Sequence, residues 1–514
     1  MRIIGYHISN GIIANSDGEI VTEPSFLDFL LEPKPDSIKI FYHIGYNIAN
    51  LLKMIDFTKE KAKKLHDTEK LYMAPYMLKY APNKFFSLSK GSYWAFFCNA
   101  NQYSLAQLDN SDTPISCLAK ANKAKEAGKQ VYDTLTSVGL HPTTLTSPVR
   151  VYEKEVLDKL DLPTVDDMPE DAGEYAYSCC RGNWLEAFQV GHWEKAWDYD
   201  INSAYPSEIA RLLDIREGKW GKSSYFVPEA EYGYCKGRVT ITVPFSPIIY
   251  LSKNLNYTPL GTWETFLTKR EIEFIHKWKL GEFEIEDGWW WIPEKRNLIL
   301  QKYIMGLQAH KEVASGLSRE TIKRIMSGIY GKFLEARNNT FGKRFNPVYG
   351  AEIEANSRLK VAEFALQVGA EHVIHIAVDG VILDKPVNLN GNGIGEWKLS
   401  AEQPCLVIGT GAVAIKDKQQ TGDFSLDYDW LMRQIAQYPK RREYEMSKMS
   451  SVTLAIALKE EFGKIGQMSK LTRPVSIGNE TKRCYRKSPK TGEELLGKQY
   501  SSEPWDISMV SRLT

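Results

Sequence analysis

The 514-residue sequence contains no apolar run that approaches the roughly 18 residues a membrane-spanning helix requires. Its N-terminus, MRIIGYHISNG, lacks the basic stretch, the apolar stretch and the cleavage site of a secretory signal. C-x-x-C pairs are absent and the seven cysteines are odd in number, which argues against a disulfide framework or a zinc knuckle. We therefore expect a globular cytoplasmic protein that has no membrane partner and keeps its cysteines reduced.

An excess of charge of one sign is also missing from the chain as a whole, whose formal net charge is +1. The C-terminal segment 440–514 departs from this balance, with 15 Lys and Arg against 9 Asp and Glu, a difference of +6. Such a segment suits phosphate contacts, although a solvated surface rich in lysine has the same composition.

The chain is long enough for a large core and about two to four domains. In residues 1–150, strand-like runs such as MRIIGYHI and SIKIFYHI alternate with helical runs such as CLAKANKAKEAGKQVYDTL, which is an α/β pattern. Proline, threonine, serine and acidic residues dominate 142–173 and predict loops there. Beyond them we expect strands, a long helical section over 298–338, further strands over 346–385 and a mixed basic tail.

The stretch WDYDINSAYPSEIARLL, residues 197–213, is the first of three chemical patterns. Its beginning reads as a buried strand, in which period-two alternation places Asp198 and Asp200 on the same side. We expect Pro206 to end the strand and Ser207 to cap a helix, which brings backbone N–H groups close to Asp200. A carboxylate beside such a turn suggests metal-bound phosphate. The alternative is a salt-bridged acid at a strand end.

The second pattern is SRETIKRIMSGIYGKFLEAR, residues 318–337. One helix face carries apolar residues at helical spacing, whereas Lys323, Ser327 and Tyr330 fall on another face, where they could bind a triphosphate and a base pair. Gly328 and Gly331 are costly inside a helix, which suggests that something approaches the backbone closely. An amphipathic surface helix is the alternative.

The third pattern is HVIHIAVDGVILDKP, residues 372–386. Two β-branched runs meet at Asp379-Gly380, which predicts a hairpin with these two residues in its turn. Because both flanks are apolar, we expect the aspartate to lie near the core, where it could pair with Asp200. Taken alone, the stretch could be an ordinary turn.

In this order and at these intervals, the three patterns resemble motifs A, B and C of family B DNA polymerases, and most closely those of the protein-primed branch of phages and linear plasmids. The resemblance implies an α+β multidomain fold, with an RNase H-like exonuclease-type domain followed by a right-hand polymerase of palm, fingers and thumb. The implied regions are 1–150 (exonuclease-like, inactive), 151–195 (linker and template contact), 196–297 (first part of the palm, with room for an insertion), 298–345 (fingers), 346–400 (second part of the palm) and 401–514 (thumb and basic C-terminal region).

The resemblance also implies a catalytic site. Asp200 and Asp379 match the catalytic acids, which with the backbone carbonyl of Ile201 would hold two Mg²⁺ ions, or Mn²⁺ in their place. Tyr205 matches the tyrosine that lies beneath the sugar and excludes a 2′-hydroxyl. The remaining implied contacts are Lys323, Ser327 and Tyr330 to the nucleotide, and Arg181, Gly182, Lys332, Lys482 and Arg483 to DNA.

The sequence departs from the family pattern at several positions. Ala377 stands where the first acid of motif C is expected, Ser327-Gly328 replaces Asn-Ser in motif B, and the Lys-x-Tyr expected near 412–414 is absent. The stretch SCCRGN, residues 178–183, resembles the linker motif Y-x-G-G that contacts the template, but Cys180 replaces the tyrosine and Asn183 the last glycine.

The exonuclease-like region departs further. It lacks the D-x-E after its first strand, Asn47 takes an aspartate position, and Glu126 is the candidate for a third acid. Asp17 and Glu19 also form a D-x-E, but we interpret them as a polar hairpin turn.

These features predict a template-directed DNA polymerase that lacks proofreading, uses dNTPs and a DNA primer-template, and acts as a monomer. Whether a terminal protein, RNA or DNA supplies the priming end stays open. One alternative is a catalytically silent, polymerase-like protein that binds DNA as an accessory factor. Another is a template-independent or self-primed nucleotidyltransferase.

Overall fold

The structure is a computed structural model that describes residues 1–9, 11–22, 26–55, 57–100, 114–253, 255–337, 340–389, 391, 393–418, 426–459 and 461–513. The chain folds into two compact units. The first unit contains 1–161, 306–328 and 447–472, and the second contains 162–305, 329–446 and 473–514.

The first unit is built on an eight-stranded sheet in the order β3-β2-β1-β4-β8-β7-β6-β5. Its strands are β1 (Arg2–Ser9), β2 (Ile12–Asn15), β3 (Ile20–Val21), β4 (Ser37–Phe41), β5 (Lys70–Met73), β6 (Tyr76–Ala81), β7 (Phe85–Lys90) and β8 (Tyr93–Asn99). Strand β4 is parallel to β1 and β8, whereas the other neighbours are antiparallel. Strand β1 is buried along nearly its whole length, on both of its faces.

Seven helices of the described residues pack on this sheet or on one another. They are α1 (Phe26–Leu31), α2 (Ile44–Met54), α3 (Lys59–Thr68), α4 (Pro114–Ser137), α5 (Pro148–Glu155), α10 (Gly316–Gly328) and α14 (Leu454–Lys459), with 3-10 turns at Leu157–Lys159 and Phe462–Lys464. A core of aliphatic and aromatic side chains joins β1 and β8 to α1, α2, α3 and α14. The α/β alternation expected for residues 1–150 is therefore present, but the sequence did not predict the antiparallel strands β5 to β7.

The second unit contains a seven-stranded sheet in the order β22-β21-β10-β20-β19-β9, with β25 paired to β10. Its strands are β9 (Leu185–Ala187), β10 (Gln189–Ile201), β19 (Val373–Ala377), β20 (Gly380–Leu383), β21 (Trp397–Gly409), β22 (Ala412–Ile415) and β25 (Tyr500–Ser501). The long strand β10 pairs with β20 on one side and β21 on the other. This sheet carries the first and third sequence patterns on neighbouring strands.

A four-stranded antiparallel sheet in the order β11-β16-β12-β15 belongs to the same unit. Its strands are β11 (Gly218–Lys222), β12 (Tyr232–Ile241), β15 (Gly261–Thr268) and β16 (Gly281–Pro293), and short pairs are formed by β13 (Tyr250–Ser252) with β14 (Leu255–Tyr257) and β17 (Ala336–Arg337) with β18 (Thr340–Phe341). A large core of the unit joins Tyr199 and Val381 of the seven-stranded sheet to Trp263 of the four-stranded sheet and Phe364 of a buried helix.

The helices of the second unit are α6 (Glu170–Cys179), α7 (Ala204–Ile209), α8 (Lys269–Trp278), α11 (Tyr330–Phe333), α12 (Pro347–Val368), α13 (Tyr428–Gln437), α15 (Gly492–Gly497) and α16 (Ile507–Leu513), with 3-10 turns at Val165–Asp167 and Ala370–His372. Three further elements contain the points where the chain passes between units: α9 (Gln301–Val313), β23 (Glu443–Ser451) and β24 (Met468–Ser476). Strands β23 and β24 pair with each other.

Two expectations about local structure are wrong. The segment 142–173, which was expected to form loops, contains α5. Pro148 lies in the first turn of this helix, and the Ser147 side chain caps its N-terminus. The strands expected from 346 onward begin only at Val373, because 347–368 form α12, which is buried on most sides and so lacks a clear one-face pattern. The close approach expected at the two helix glycines is found at Gly328, where a Cβ would lie 2.1 Å from Val149 Cγ2 of α5. At Gly331 no described atom lies within 4 Å of such a Cβ.

The cysteines agree with the expected reduced state, since all seven are free thiols and five are buried. In the described ranges, no helix has the length and apolar character needed to cross a bilayer.

Candidate active site

Asp200 and Asp379 are brought together by the pairing of β10 with β20. Asp200 lies directly opposite Gly380 in this antiparallel register. The backbone N–H of Ile201, the last residue of β10, donates to the Asp379 carbonyl over 3.0 Å. The two carboxylate residues therefore lie at adjoining positions, at the end of one strand and the tip of the neighbouring hairpin.

The hairpin is present, but its turn lies one residue earlier than expected. Ala377 pairs with Gly380, so Val378 and Asp379 form the turn, and Val378 adopts a φ of 63°. Gly380 is instead a strand residue, at which a Cβ would lie 3.2 Å from the Tyr199 carbonyl oxygen. Glycine at this position allows β20 to approach β10 closely beside Asp200.

Asp198 faces the same side of β10 as Asp200, yet its environment differs. Its side chain is 10% exposed and forms an ion pair with Lys418. Burial raises the pKa of this carboxyl, and the Lys418 ammonium partly opposes the shift. Asp198 is thus a buried, paired acid, whereas the Asp200 side chain is 32% exposed and can be reached from solvent.

The helix after Asp200 begins earlier than expected. Strand β10 ends at Ile201, and α7 starts at Ala204, preceded by Ser203 in a left-handed conformation with a φ of 54°. Pro206 lies in the first helical turn, where its missing N–H costs nothing. Ser207 is therefore inside the helix, and its hydroxyl donates to the Ala204 carbonyl at 2.7 Å rather than capping the N-terminus.

Lys398 is a site residue that the sequence patterns did not identify. It lies opposite Asp200 in the pairing of β10 with β21, and its ammonium is 3.0 Å from the Asp200 carboxylate. Because Lys398 is 42% exposed, this ion pair is partly solvated and weak enough to exchange for another cation. The register between the two strands creates the contact, and no local motif contains it.

Tyr205 and Tyr330 lie side by side next to the paired acids. Their ring centroids are 4.7 Å apart with the planes tilted by 53°, and the Tyr205 hydroxyl donates to Asn183 Oδ1. Burial raises the pKa of the Tyr205 phenol, and the charges of Glu354 and Asp379 add to this rise. Tyr205 lies in the first turn of α7, the helix that follows the Asp200 end of β10.

Helix α12 positions the linker segment and Tyr330 through two charged residues one turn apart. Glu354 accepts hydrogen bonds from the Tyr330 hydroxyl and from the Gly182 N–H, the latter at 2.6 Å. Arg358 donates to the Gly182 carbonyl at 2.9 Å and to Glu271 Oε1 at 2.6 Å. Glu354 and Arg358 thereby hold both backbone polar groups of Gly182. Sequence reasoning missed them because it did not predict α12.

Lys323 and Ser327 belong to the first unit, on α10. Both are exposed, and the Ser327 hydroxyl donates to the Lys323 carbonyl at 2.8 Å. Ile322, Ile325 and Met326 are buried on the opposite face, as the spacing predicted. The nucleotide contacts of Lys323, Ser327 and Tyr330 stay predictions.

The predicted DNA contacts have different environments. Arg181 donates to Thr265 Oγ1 at 3.2 Å, and Lys332 pairs with Glu335 at 2.8 Å. The contacts of Arg181, Gly182 and Lys332 with DNA stay predictions.

Lys482 and Arg483 are engaged inside the protein. Lys482 donates to the Leu185 carbonyl at 2.5 Å, and burial lowers the pKa of its ammonium. Arg483 is 2% exposed, pairs with Glu186 at 3.1 Å and lies over the Phe188 ring. Arg483 therefore neutralises a buried carboxylate, and its contact with DNA stays a prediction.

The positions of the first unit that were compared with exonuclease motifs hold one buried amide, one exposed acid and two acids in ion pairs. Asn47 is buried on α2, where it accepts from the Ile8 N–H at 2.6 Å and donates to the His43 carbonyl at 2.8 Å. Glu126 is exposed on α4. Asp17 and Glu19 lie in the turn between β2 and β3, paired with Arg2 and Lys34 respectively, as expected of a polar hairpin turn.

Asp200 and Asp379 are the two carboxylates that the strand pairing brings together at this site. Within the part of the chain that the structure describes, no group of three or more His, Cys, Asp and Glu side chains is arranged to hold a metal ion. The pair formed by Asp200 and Asp379 would therefore need ligands from outside the protein, such as phosphate oxygens, to complete a coordination shell.

Comparison with solved structures shows that the chain has the fold of Phi29 DNA polymerase. An orthorhombic crystal form of that protein matches with a TM-score of 0.61 and 12% identity, over 93% of this chain and 100% of the other. Its ternary complex with primer-template DNA and incoming nucleotides gives a TM-score of 0.59 and 12% identity, over 92% and 99%. No protein-family model and no curated sequence matches the chain. The likeness at this identity establishes a mixed α and β multi-sheet fold and leaves the activity to be argued from the site.

Proposed function

We propose that this protein is a template-directed DNA polymerase of the family B type, which adds dNMPs to a primer 3′-hydroxyl. The observation that carries the proposal is the pairing of β10 with β20. In this pairing Asp200 lies opposite Gly380, and the Ile201 N–H donates to the Asp379 carbonyl. An acid near the end of β10 and an acid in the turn of the neighbouring hairpin thereby adjoin within a fold shared with a DNA polymerase over nearly the whole chain. Primer-template DNA and nucleotides, which are bound in a solved complex of that neighbour, are the proposed partners and substrates.

The donor chemistry at these acids fits Mg²⁺. Carboxylate and carbonyl oxygens are hard ligands of the kind Mg²⁺ prefers, and sites with few protein ligands are usual when substrate phosphates supply the rest. Asp200, Asp379 and the Ile201 carbonyl would hold the ions, with Mn²⁺ as a substitute. When bound, the metal supplies activation of the 3′-hydroxyl and neutralisation of the leaving pyrophosphate.

The chain's own residues would select and orient the nucleotide. The Tyr205 ring, fixed by Tyr330 and Asn183, offers a rigid surface next to the acids on which a sugar without a 2′-hydroxyl could rest. Glu354 fixes the Tyr330 hydroxyl and the Gly182 backbone together, so the tyrosines and the linker segment keep a constant geometry. Lys323 is proposed to contact the triphosphate as a point charge.

We also propose that the protein lacks proofreading. The buried Asn47 side chain uses its carbonyl and amino groups in protein hydrogen bonds, and an amide cannot replace the carboxylate a two-metal nuclease requires. The hairpin acids Asp17 and Glu19 are engaged by Arg2 and Lys34.

A second candidate, a catalytically silent DNA-binding accessory protein, is favoured by two observations. Ala377 supplies no carboxylate at the start of the hairpin turn, and Lys398 neutralises Asp200. Primer extension with Mg²⁺ and dNTPs distinguishes the candidates. A polymerase extends the primer and loses this activity in Asp200→Asn or Asp379→Asn, whereas a silent accessory protein does not extend it at all. Omitting the template in the same assay distinguishes templated from template-independent addition.

A further inference from the structure

One face of the meander β5–β8 in the first unit is turned toward solvent. Tyr72, Met77, Ser89 and Trp94 are direct cross-strand partners in successive pairs, so they form one row across four strands on the same face. The middle of the opposite face is buried and contributes side chains such as Leu78 to the core. Strands with one solvated and one buried face are typical of antiparallel sheets, so the exposed side chains are not required for packing.

Two large aromatic side chains are exposed at the ends of this row. Tyr72 is 63% exposed and Trp94 is 69% exposed. Three interstrand spacings separate them, or roughly 14 Å. Met77 lies between them in the row and Phe96 on the same face, so the exposed rings belong to an aromatic and apolar surface of the kind that marks interaction sites.

The neighbouring row on the same face consists of Lys70, Lys79, Ser87 and Phe96. Lys70 and Lys79 are both exposed and lie directly opposite each other, a like-charge pairing that destabilises the strands. An anion placed between them would remove this repulsion.

All the charged residues of segment 70–97 are basic. Residues 70–97 contain four lysines and nine aromatic residues but no aspartate or glutamate. Aromatic rings that stack bases, beside cations that contact phosphates, bind single-stranded nucleic acid with little sequence preference. A duplex keeps its bases stacked on each other and offers such rings no free faces.

We propose that the solvent-facing side of β5–β8 is a binding platform for single-stranded DNA. Tyr72 and Trp94 stack on bases, and Lys70 and Lys79 contact the phosphates between them. The platform lies wholly within the first unit and makes no use of Asp200 or Asp379, so it is independent of the proposed polymerase activity.

Binding of a fluorescent oligo-dT strand to the full chain, without metal or dNTPs, tests the platform. We expect Tyr72→Ala and Trp94→Ala each to weaken binding at least about fivefold, the loss expected for one stacked base. Tyr93→Ala is the matched control, because Tyr93 is 60% exposed yet adjoins Trp94 on the strand and so faces the other side. The double variant Lys70→Ala/Lys79→Ala should reduce the salt slope of log K by about 1.4.

Photocrosslinking identifies the surface that binds the strand, even if more than one surface of the chain does so. An oligonucleotide carrying 5-iododeoxyuridine should crosslink to peptides that contain Tyr72 or Trp94, as located by mass spectrometry. Crosslinks confined to other segments would overturn the proposal, as would an unchanged affinity in both aromatic variants. Tighter binding of an RNA strand or of a blunt duplex would overturn the assignment to single-stranded DNA.

Discussion

The Lys398 ammonium lies 3.0 Å from the Asp200 carboxylate, on the strand that pairs with β10 opposite the β19–β20 hairpin. A cation of the protein thus occupies the position next to the acid to which we assign metal binding. A divalent ion that binds Asp200 must displace or share this contact.

We therefore expect Lys398→Ala to lower the Mg²⁺ concentration that gives half-maximal primer extension. Partly exposed ion pairs contribute up to about 1 kcal/mol, so the expected change is about two- to fivefold. Lys195→Ala is the matched control, because Lys195 pairs with Glu402 on the same two strands away from the acids. An unchanged or increased Mg²⁺ requirement in Lys398→Ala would show that the lysine does not compete with metal.

Sugar selection should depend on the Tyr205 ring rather than on its hydroxyl. We expect Tyr205→Ala to raise ribonucleotide incorporation relative to deoxynucleotide incorporation, because the ring that excludes the 2′-hydroxyl is gone. Tyr205→Phe should retain selection although it loses the hydrogen bond to Asn183. Lys323→Ala should lower the kcat/KM for dNTP and for rNTP about equally. The measurement is the ratio of kcat/KM for dNTP and rNTP, and an unaltered ratio in Tyr205→Ala would remove this role.

The purified protein should not shorten an unpaired 3′ end in Mg²⁺, and Asn47→Asp alone should not create that activity. The aspartate cannot donate to the His43 carbonyl and would be buried, so Asn47→Asp should lower the free energy of unfolding by about 1–3 kcal/mol. Denaturant titration measures the change. Degradation of the 3′ end by wild type, abolished by a substitution in the first unit, would refute the absence of proofreading.

The expected strands β1, β4, β10 and the β19–β20 hairpin exist because their apolar and β-branched residues are buried in sheets. Asp200 and Asp379 could be assigned from sequence because each belongs to a local pattern. Lys398 could not, since its contact depends on the register of two strands far apart in sequence. Glu354 and Arg358 were missed because α12 is buried on most sides and has no amphipathic period.

Glu352 should make stability depend on pH. It is 2% exposed on α12, and burial raises its pKa from 4.5 to about 8. Because the folded-state pKa lies above the unfolded value, the folded protein loses stability as pH rises from 4.5 toward 8.

Glu352→Gln should remove this loss, since the glutamine oxygen can still accept from the Tyr234 hydroxyl, which is 3.0 Å from Glu352 Oε1. Its stability relative to wild type should therefore increase across that interval by up to ~4–5 kcal/mol. Urea unfolding at several pH values measures the difference. Glu284→Gln, at a side chain that is 75% exposed, is the control and should show little change. A difference between Glu352→Gln and wild type that does not vary with pH would contradict the assignment.

Extension of a labelled DNA primer on a template, with Mg²⁺ and dNTPs, is the most direct test of the polymerase assignment when wild type is compared with Asp200→Asn and Asp379→Asn. We predict templated extension by wild type and its near-complete loss in both variants. Primer-template binding, followed by fluorescence anisotropy, should stay close to wild type because each substitution removes a metal ligand and no phosphate contact. Asp198→Asn, at the acid paired with Lys418, should retain much more activity. Extension by either active-site variant at the wild-type rate, or no extension by wild type in Mg²⁺ or Mn²⁺, would contradict the account.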